Sequence, residues 1–139
     1  MSVTSGLAGK VAIITGATSG IGKGTAIHFA QSGCNVVITG RRVENLEQTK
    51  SECVKAGLKP EQVATVPGDL RDGEFRKKLI QAAIDNFNKL DILVNNAGVP
   101  TQVPTLSQTM EDFDFVFDVN LRAVCDLTHL AIPHLIETK

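Results

Sequence analysis

The 139-residue chain predicts a doubly wound α/β fold, a parallel sheet of about four strands with flanking helices, on three observations. Short β-branched runs alternate with helical segments. The runs are almost continuously apolar, as strands covered on both faces must be. Gly, Pro and Asn separate the two kinds of segment at βαβ spacing. Right-handed crossovers and strand order 3-2-1-4 then set the fourth strand beside the first, with a ligand crevice at that switch point.

The elements follow in order. Val11-Ala12-Ile13-Ile14 is the first strand, and the glycine-rich stretch after it opens an amphipathic helix that runs through Ser32 and stops at Gly33. Asn35-Val36-Val37-Ile38-Thr39 makes the second strand, ending at Gly40. A polar helix spans about Val43 to Ala56, closed by Gly57 with Pro60 beyond. Val63-Ala64-Thr65-Val66 is the third strand, broken by Pro67-Gly68. Phe75, Leu79, Ala83 and Phe87 recur at i+4, with Ile80 and Ile84 beside them, so the next element is a helix with one apolar stripe. Asp91-Ile92-Leu93-Val94-Asn95 is the fourth strand. A loop rich in Pro, Thr and Gln from Val99 to about Thr109 leads into one last long helical segment, bent at Pro133 and reaching almost to Lys139. No repeat or linker divides the series, so 1–139 reads as a single domain with residues 1–10 as a short lead.

Fourteen basic and fifteen acidic residues leave a net charge of −1, which supplies no field for nucleic acid or an acidic membrane surface. Neither partner is expected. The first ten residues lack an apolar leader and no run is long enough to span a bilayer, so a cytoplasmic setting is expected. Cys34, Cys53 and Cys125 match no zinc or redox spacing and read as buried, inert thiols. The nearest of His28, His129 and His134 are five apart, on different helix faces, so no metal site is expected.

Thr15-Gly16-Ala17-Thr18-Ser19-Gly20-Ile21-Gly22 lies between the first strand and the first helix, where unpaired N–H groups and the positive end of the helix dipole suit a pyrophosphate. Gly16 permits the tight turn, Gly20 the approach of backbone to phosphate, and Gly22 close packing of helix on strand. The stretch resembles the short-chain dehydrogenase/reductase fingerprint T-G-x-x-x-G-x-G. Asp69-Leu70 after the third strand, Asn95-Asn96-Ala97-Gly98 after the fourth, and Asn120 in the last helical segment stand in that family's order. The resemblance implies a Rossmann-type dinucleotide-binding domain. It implies that Ser19 and Ile21 contact the pyrophosphate, that Asp69 accepts from the adenine amino group, and that Leu70 lines the adenine pocket. Asn96, Ala97 and Gly98 would lie by the nicotinamide ribose, with Asn95 bracing the fourth strand. Read from the residues alone, Asp69 also suits a turn or cap, and Asn95-Asn96 an Asx turn.

A protein that selects NAD places Asp or Glu at the end of the second strand, against the ribose 2′-hydroxyl. Gly40 stands there instead, followed by Arg41 and Arg42, whose guanidinium groups suit a 2′-phosphate. NADP(H) is therefore the expected cofactor. The alternative is a solvated loop pair facing Glu44 or Glu47.

By the same resemblance the reaction is hydride transfer between the cofactor and a small-molecule carbonyl or alcohol, using a Tyr acid/base, a Lys that lowers its pKa, a Ser that orients the carbonyl, and an Asn that holds a water of the proton relay. Asn120, in Asp118-Val119-Asn120-Leu121, matches the Asn. The chain contains no Tyr, so no Tyr-x-x-x-Lys pair exists, and the family's Ser falls on a fifth strand beyond Lys139. Ile92-Leu93-Val94 also carries none of the charge, Pro or bulge that blunts a sheet edge, and the last helix ends without a C′ glycine. The chain is thus expected to be the N-terminal part of a longer enzyme, an incomplete domain inactive alone. The alternative is a non-catalytic NADP-binding protein, a sensor or partner subunit that forms homo-oligomers through its last helix. An α/β module that binds no nucleotide is a third reading.

Overall fold

A computed structural model describes residues 6–139; residues 1–5 of the N-terminal lead lie outside the described residues. Four parallel strands, β1 (Val11–Ile14), β2 (Asn35–Gly40), β3 (Val63–Pro67) and β4 (Ile92–Val94), form one sheet in the order β3-β2-β1-β4. That is the expected doubly wound arrangement. Ile13 stands in register with Val37 on one side and Leu93 on the other, and Val37 with Ala64.

Alternation along the strands sends side chains to two cores. Ile14, Val36, Ile38 and Val63 pack with Ala26 and Ala30 of α1 (Gly20–Gln31) and with Leu46 and Cys53 of α2 (Val43–Lys55). Val11, Ile13, Val37 and Val66 pack with Phe75, Leu79 and Ala83 of α3 (Gly73–Phe87) and with Leu127 and Ala131 of α5 (Ala123–Glu137). Every residue of β1 is wholly buried, each Val or Ile contributing about 1.5–3 kcal/mol. Gly33, at φ +77, ends α1 in the left-handed region that favours glycine. Asp72 caps α3 by accepting from the Glu74 N–H at 2.9 Å. At the opposite end of the sheet from the crevice, the buried Asp91 carboxylate accepts from the Val11 N–H at 2.8 Å and pairs with Lys89 at 3.2 Å, fastening the start of β4 to β1.

Three expectations need correction. The last helical segment is not one helix: α4 (Met110–Phe117) passes into a single π turn over Asp118–Arg122, where the Ala123 N–H bonds five residues back to the Asp118 carbonyl, and then into α5. The helix is interrupted at this turn, while α5 continues as helix through Pro133. β4 is shorter than expected, with Asp91 and Asn95 outside the strand and their side chains bonded to Val11 and Thr128, and its three residues are only half-buried. Cys125 is exposed, whereas Cys34 and Cys53 are buried as expected. Among the described residues no helix is long and apolar enough to cross a membrane.

Candidate functional site

The carboxyl end of β1 runs straight into the glycine loop. Gly16 has φ +63, and a Cβ there would come within 2.8 Å of the Ala97 Cα, so the turn and the contact both require glycine. A Cβ on Gly22 would overlap the Gly16 carbonyl oxygen and the Asn96 amide nitrogen. Gly22 therefore brings the first turn of α1 down onto the loop. Ser19 is the N-cap of α1, yet its hydroxyl makes no capping bond, and Ile21 is 81% exposed. The helix opens with polar N–H groups and a hydroxyl facing outward, and with no acidic side chain in its first turn.

A network of short bonds fixes the loop after β4 against this cradle. The Thr15 hydroxyl accepts from the Asn96 N–H at 3.0 Å and the Ala97 N–H at 2.9 Å, and the Asn96 side-chain amide donates to the Thr15 and Gly16 carbonyls at 3.1 and 3.2 Å. Asn95 donates to the Thr128 hydroxyl of α5 at 3.1 Å. Asn120, inside the π turn, accepts from the Val99 N–H and donates to the Val99 carbonyl, both at 2.8 Å. Its side chain is therefore committed to the backbone of the Asn-Ala-Gly loop.

At the far end of the cleft, Asp69 accepts from the Arg71 N–H at 2.9 Å and pairs with the Arg71 guanidinium, Nη2 lying 2.6 Å from Oδ2. The hydrogen bonds from Arg71, aided by the charge of Arg41, hold the Asp69 carboxyl below the usual carboxylate range. The Arg71 guanidinium sits over the Phe115 ring of α4, its Cζ 4.8 Å from the centroid. Nearby, Gly40 lies against the Thr18 methyl group with no room for a side chain. Among the described residues neither Arg41 nor Arg42 forms an ion pair, and Glu47 accepts from Thr65 instead.

These groups surround one cleft of about 600 Å³ at the carboxyl ends of β1, β2, β3 and β4. Gly16, Ser19, Gly20, Ile21, Arg41, Asp69, Leu70, Asn96, Ala97 and Gly98 all line it. Thr15, Gly22 and Asn120 stand behind the lining and hold it in place, and Arg42 precedes α2 as its N-cap residue. Residues 10–139 match the family model described as short chain dehydrogenase.

The chain belongs to the short chain dehydrogenase family.

It is 35% identical over 133 residues to 3-oxoacyl-acyl-carrier-protein reductase FabG of Thermotoga maritima, which covers 96% of this chain and 53% of that protein. The structure of glucose dehydrogenase of Caenorhabditis elegans in the apo form superposes with a TM-score of 0.87 at 41% identity, over 96% of this chain and 53% of the other. A metagenomic short-chain oxidoreductase, solved in complex with NADP, superposes with a TM-score of 0.87 at 32% identity, over 95% and 59% of the two chains. The chain spans about half the length of the curated relatives it matches. This family of oxidoreductases works with nicotinamide dinucleotides.

Sequence reasoning gave no site role to Gly68, Arg71, Val99, Phe115 and Val119, which also line the short chain dehydrogenase cleft. Val99 simply follows the Asn-Ala-Gly motif and carries no signal of its own. Phe115 and Val119 are one helical turn apart across the start of the π turn, so their shared face was legible from i+4 spacing once the segment was taken as helical. Arg71 had a signal: an Arg two residues after an Asp in a Pro-Gly-Asp-Leu-Arg turn is placed to pair with it locally.

Proposed function

We propose that this chain is the NADP(H)-binding part of a short-chain dehydrogenase/reductase that transfers hydride to or from a small-molecule carbonyl or alcohol. The observation that carries the reading is the α1 N-terminus opening onto the cleft, with the Ser19 hydroxyl uncapped and Gly16 and Gly22 closing the backbone around it. The residues present fit a dinucleotide. Main-chain N–H groups of the loop, with Ser19 and Ile21, would hold the pyrophosphate; Asp69 and Leu70 would border the adenine; and Asn96, Ala97 and Gly98 would face the nicotinamide ribose. Arg41 and Arg42 would hold the 2′-phosphate, supported by their freedom from ion pairs among the described residues and by a glycine where an NAD-selecting acid would stand. When bound, NADPH supplies the hydride.

The chain's own residues supply less of the proton chemistry. The amide of Asn120 is already bonded to the main-chain N–H and carbonyl of Val99, so in this arrangement both ends of its side chain are engaged. No Tyr is present to protonate an alkoxide.

Titration of the folded polypeptide with NADPH and NADH tests the proposal. Tight binding with NADPH preferred is expected, and the R41A/R42A variant should lose about 10- to 100-fold in NADPH affinity while NADH binding changes little. Equal loss of both, or no loss, removes the 2′-phosphate assignment. Absence of any binding removes the cofactor reading.

A specific observation favours a second reading, that of a partner subunit. Met110, Phe113, Phe117, Leu121, Ile132 and Ile136 are large apolar side chains left exposed along α4, the π turn and α5. Phe113 and Phe117 stack with ring centroids 4.1 Å apart, a ready-made apolar step on that surface.

A further inference from the structure

On the reading of the cleft as an NADP(H) site, we infer that Thr49 is a positioning residue for cofactor selectivity. Its buried hydroxyl holds the Ala17 carbonyl of the glycine loop against α2, and so fixes the loop that receives the pyrophosphate relative to the Arg41-Arg42 pair that receives the 2′-phosphate.

Thr49 lies in the second turn of α2 and is wholly buried. Its one hydroxyl proton is shared between two carbonyls. The nearer, at 2.9 Å, belongs to Ala17, 32 positions back in the chain; the other, at 3.1 Å, belongs to Asn45, one turn earlier on the same helix. The second contact is the ordinary back-bond of a helical Thr, whereas the first joins two parts of the fold. Ala17 is itself wholly buried, and among the described residues its carbonyl accepts from no other group. Its N–H donates to the Thr39 carbonyl of β2 at 3.1 Å. Ala17 is thus tied on one side to the strand that precedes Arg41 and Arg42, and on the other to the helix that follows them. The next residue is seated in the same place: the Thr18 methyl fills the space that a side chain at Gly40 would need, beside Leu46 of α2.

In NADPH the 2′-phosphate and the pyrophosphate are joined through one ribose, so the cofactor sets their separation and the protein has to match it. NADPH would touch both sides of the Ala17–Thr49 junction, and NADH only the loop. A loop free to drift from α2 therefore costs NADPH more than NADH, because only NADPH depends on the two sides being held in step beforehand.

T49V replaces the donor by a methyl that needs more room than a hydrogen bond allows, and leaves the Ala17 carbonyl buried without a partner. The full chain, checked for folding and titrated with NADPH and with NADH, should lose about five- to tenfold in NADPH affinity and less than about twofold in NADH affinity. T49S keeps the hydroxyl and should bind both within about twofold of wild type. T49A gives the same reading as T49V if the bulkier variant fails to fold. C53A opens space under the same helix in the same core but leaves the hydroxyl in place, and should lower the denaturation midpoint without moving the ratio of the two affinities.

T49V and T49A chains that keep the wild-type ratio, or that lose both affinities equally, overturn the inference and leave the cofactor reading standing. So does a T49S or C53A chain that shifts the ratio as T49V does. A wild-type chain that binds NADH as well as NADPH overturns the inference together with the 2′-phosphate assignment, and a folded chain that binds neither removes the cofactor reading too.

Discussion

Burial pushes the Cys34 and Cys53 thiols up from an ordinary value of 9.0 to about 11, with the Asp91 carboxylate adding to the effect at Cys34 and Glu52 at Cys53. In the unfolded chain both ionise near their ordinary value. The folded state therefore binds more protons between about 9 and about 11, and stability falls across that window as pH rises. Denaturant titrations at steps from pH 8 to pH 11 should show the fall, and a C34A/C53A variant should begin less stable at the low end yet lose less on the way up. An identical slope in the variant would assign the loss to other groups. The site was partly legible at this scale. Gly16 and Gly22 were readable because a left-handed turn and a forbidden Cβ leave room for glycine alone, and Asp69 because an Asp in a turn takes a local hydrogen bond, whereas the Asn96 bonds join residues far apart in sequence. The commitment of Asn120 to Val99 was not readable, since it depends on which partner reaches the amide in three dimensions.

Arg76 of α3 is buried, and its guanidinium bridges two other elements: Nε donates to Asp126 of α5 at 2.5 Å and Nη1 to the Leu70 carbonyl at 2.6 Å. It ties the Leu70 side of the cleft to the helix that follows the π turn. The two ends of the pair differ in solvent access, with side-chain exposures of 8% for Arg76 and 38% for Asp126. Removing the carboxylate strands a buried cation, at a cost of about 3–5 kcal/mol. Removing the cation leaves a carboxylate that water can reach and one orphaned carbonyl, at a cost of about 1–3 kcal/mol. Chemical denaturation should therefore find D126A less stable than R76M, and the reverse order would show that the pair is not the anchor. Helix positions were mostly legible, because α3 carries an apolar stripe and Gly57 and Asn88 stand where α2 and α3 stop. The division of the last segment was illegible. A π turn adds one residue to the helical repeat without any side chain that local propensity disfavours, and Asp118-Val119-Asn120-Leu121-Arg122 reads as ordinary helix until the Asn120 bonds to Val99 are known.

For the molecule as a whole, strand order and the two-sided core followed from alternation and crossover handedness, physical rules that act over the whole chain and override local detail. The outer apolar surface did not follow, because nothing in a helical pattern distinguishes a face that packs on the sheet from one left in solvent. Met110, Phe113, Phe117 and Leu121 on that face predict self-association. Sedimentation velocity over a range of concentrations should show the apparent mass rising, and F113E/F117E should hold the protein at the monomer value; a chain that stays monomeric throughout excludes the surface as a contact between copies. The pair of 2.8 Å bonds between Asn120 and Val99 bears on motion as well as on shape. Because both ends of one amide grip the main-chain N–H and carbonyl of a single residue, the segment after β4 is tied to the helical rod behind it. Whatever tilts that rod, a neighbour pressed on its far side included, is delivered as a displacement to the floor of the cleft.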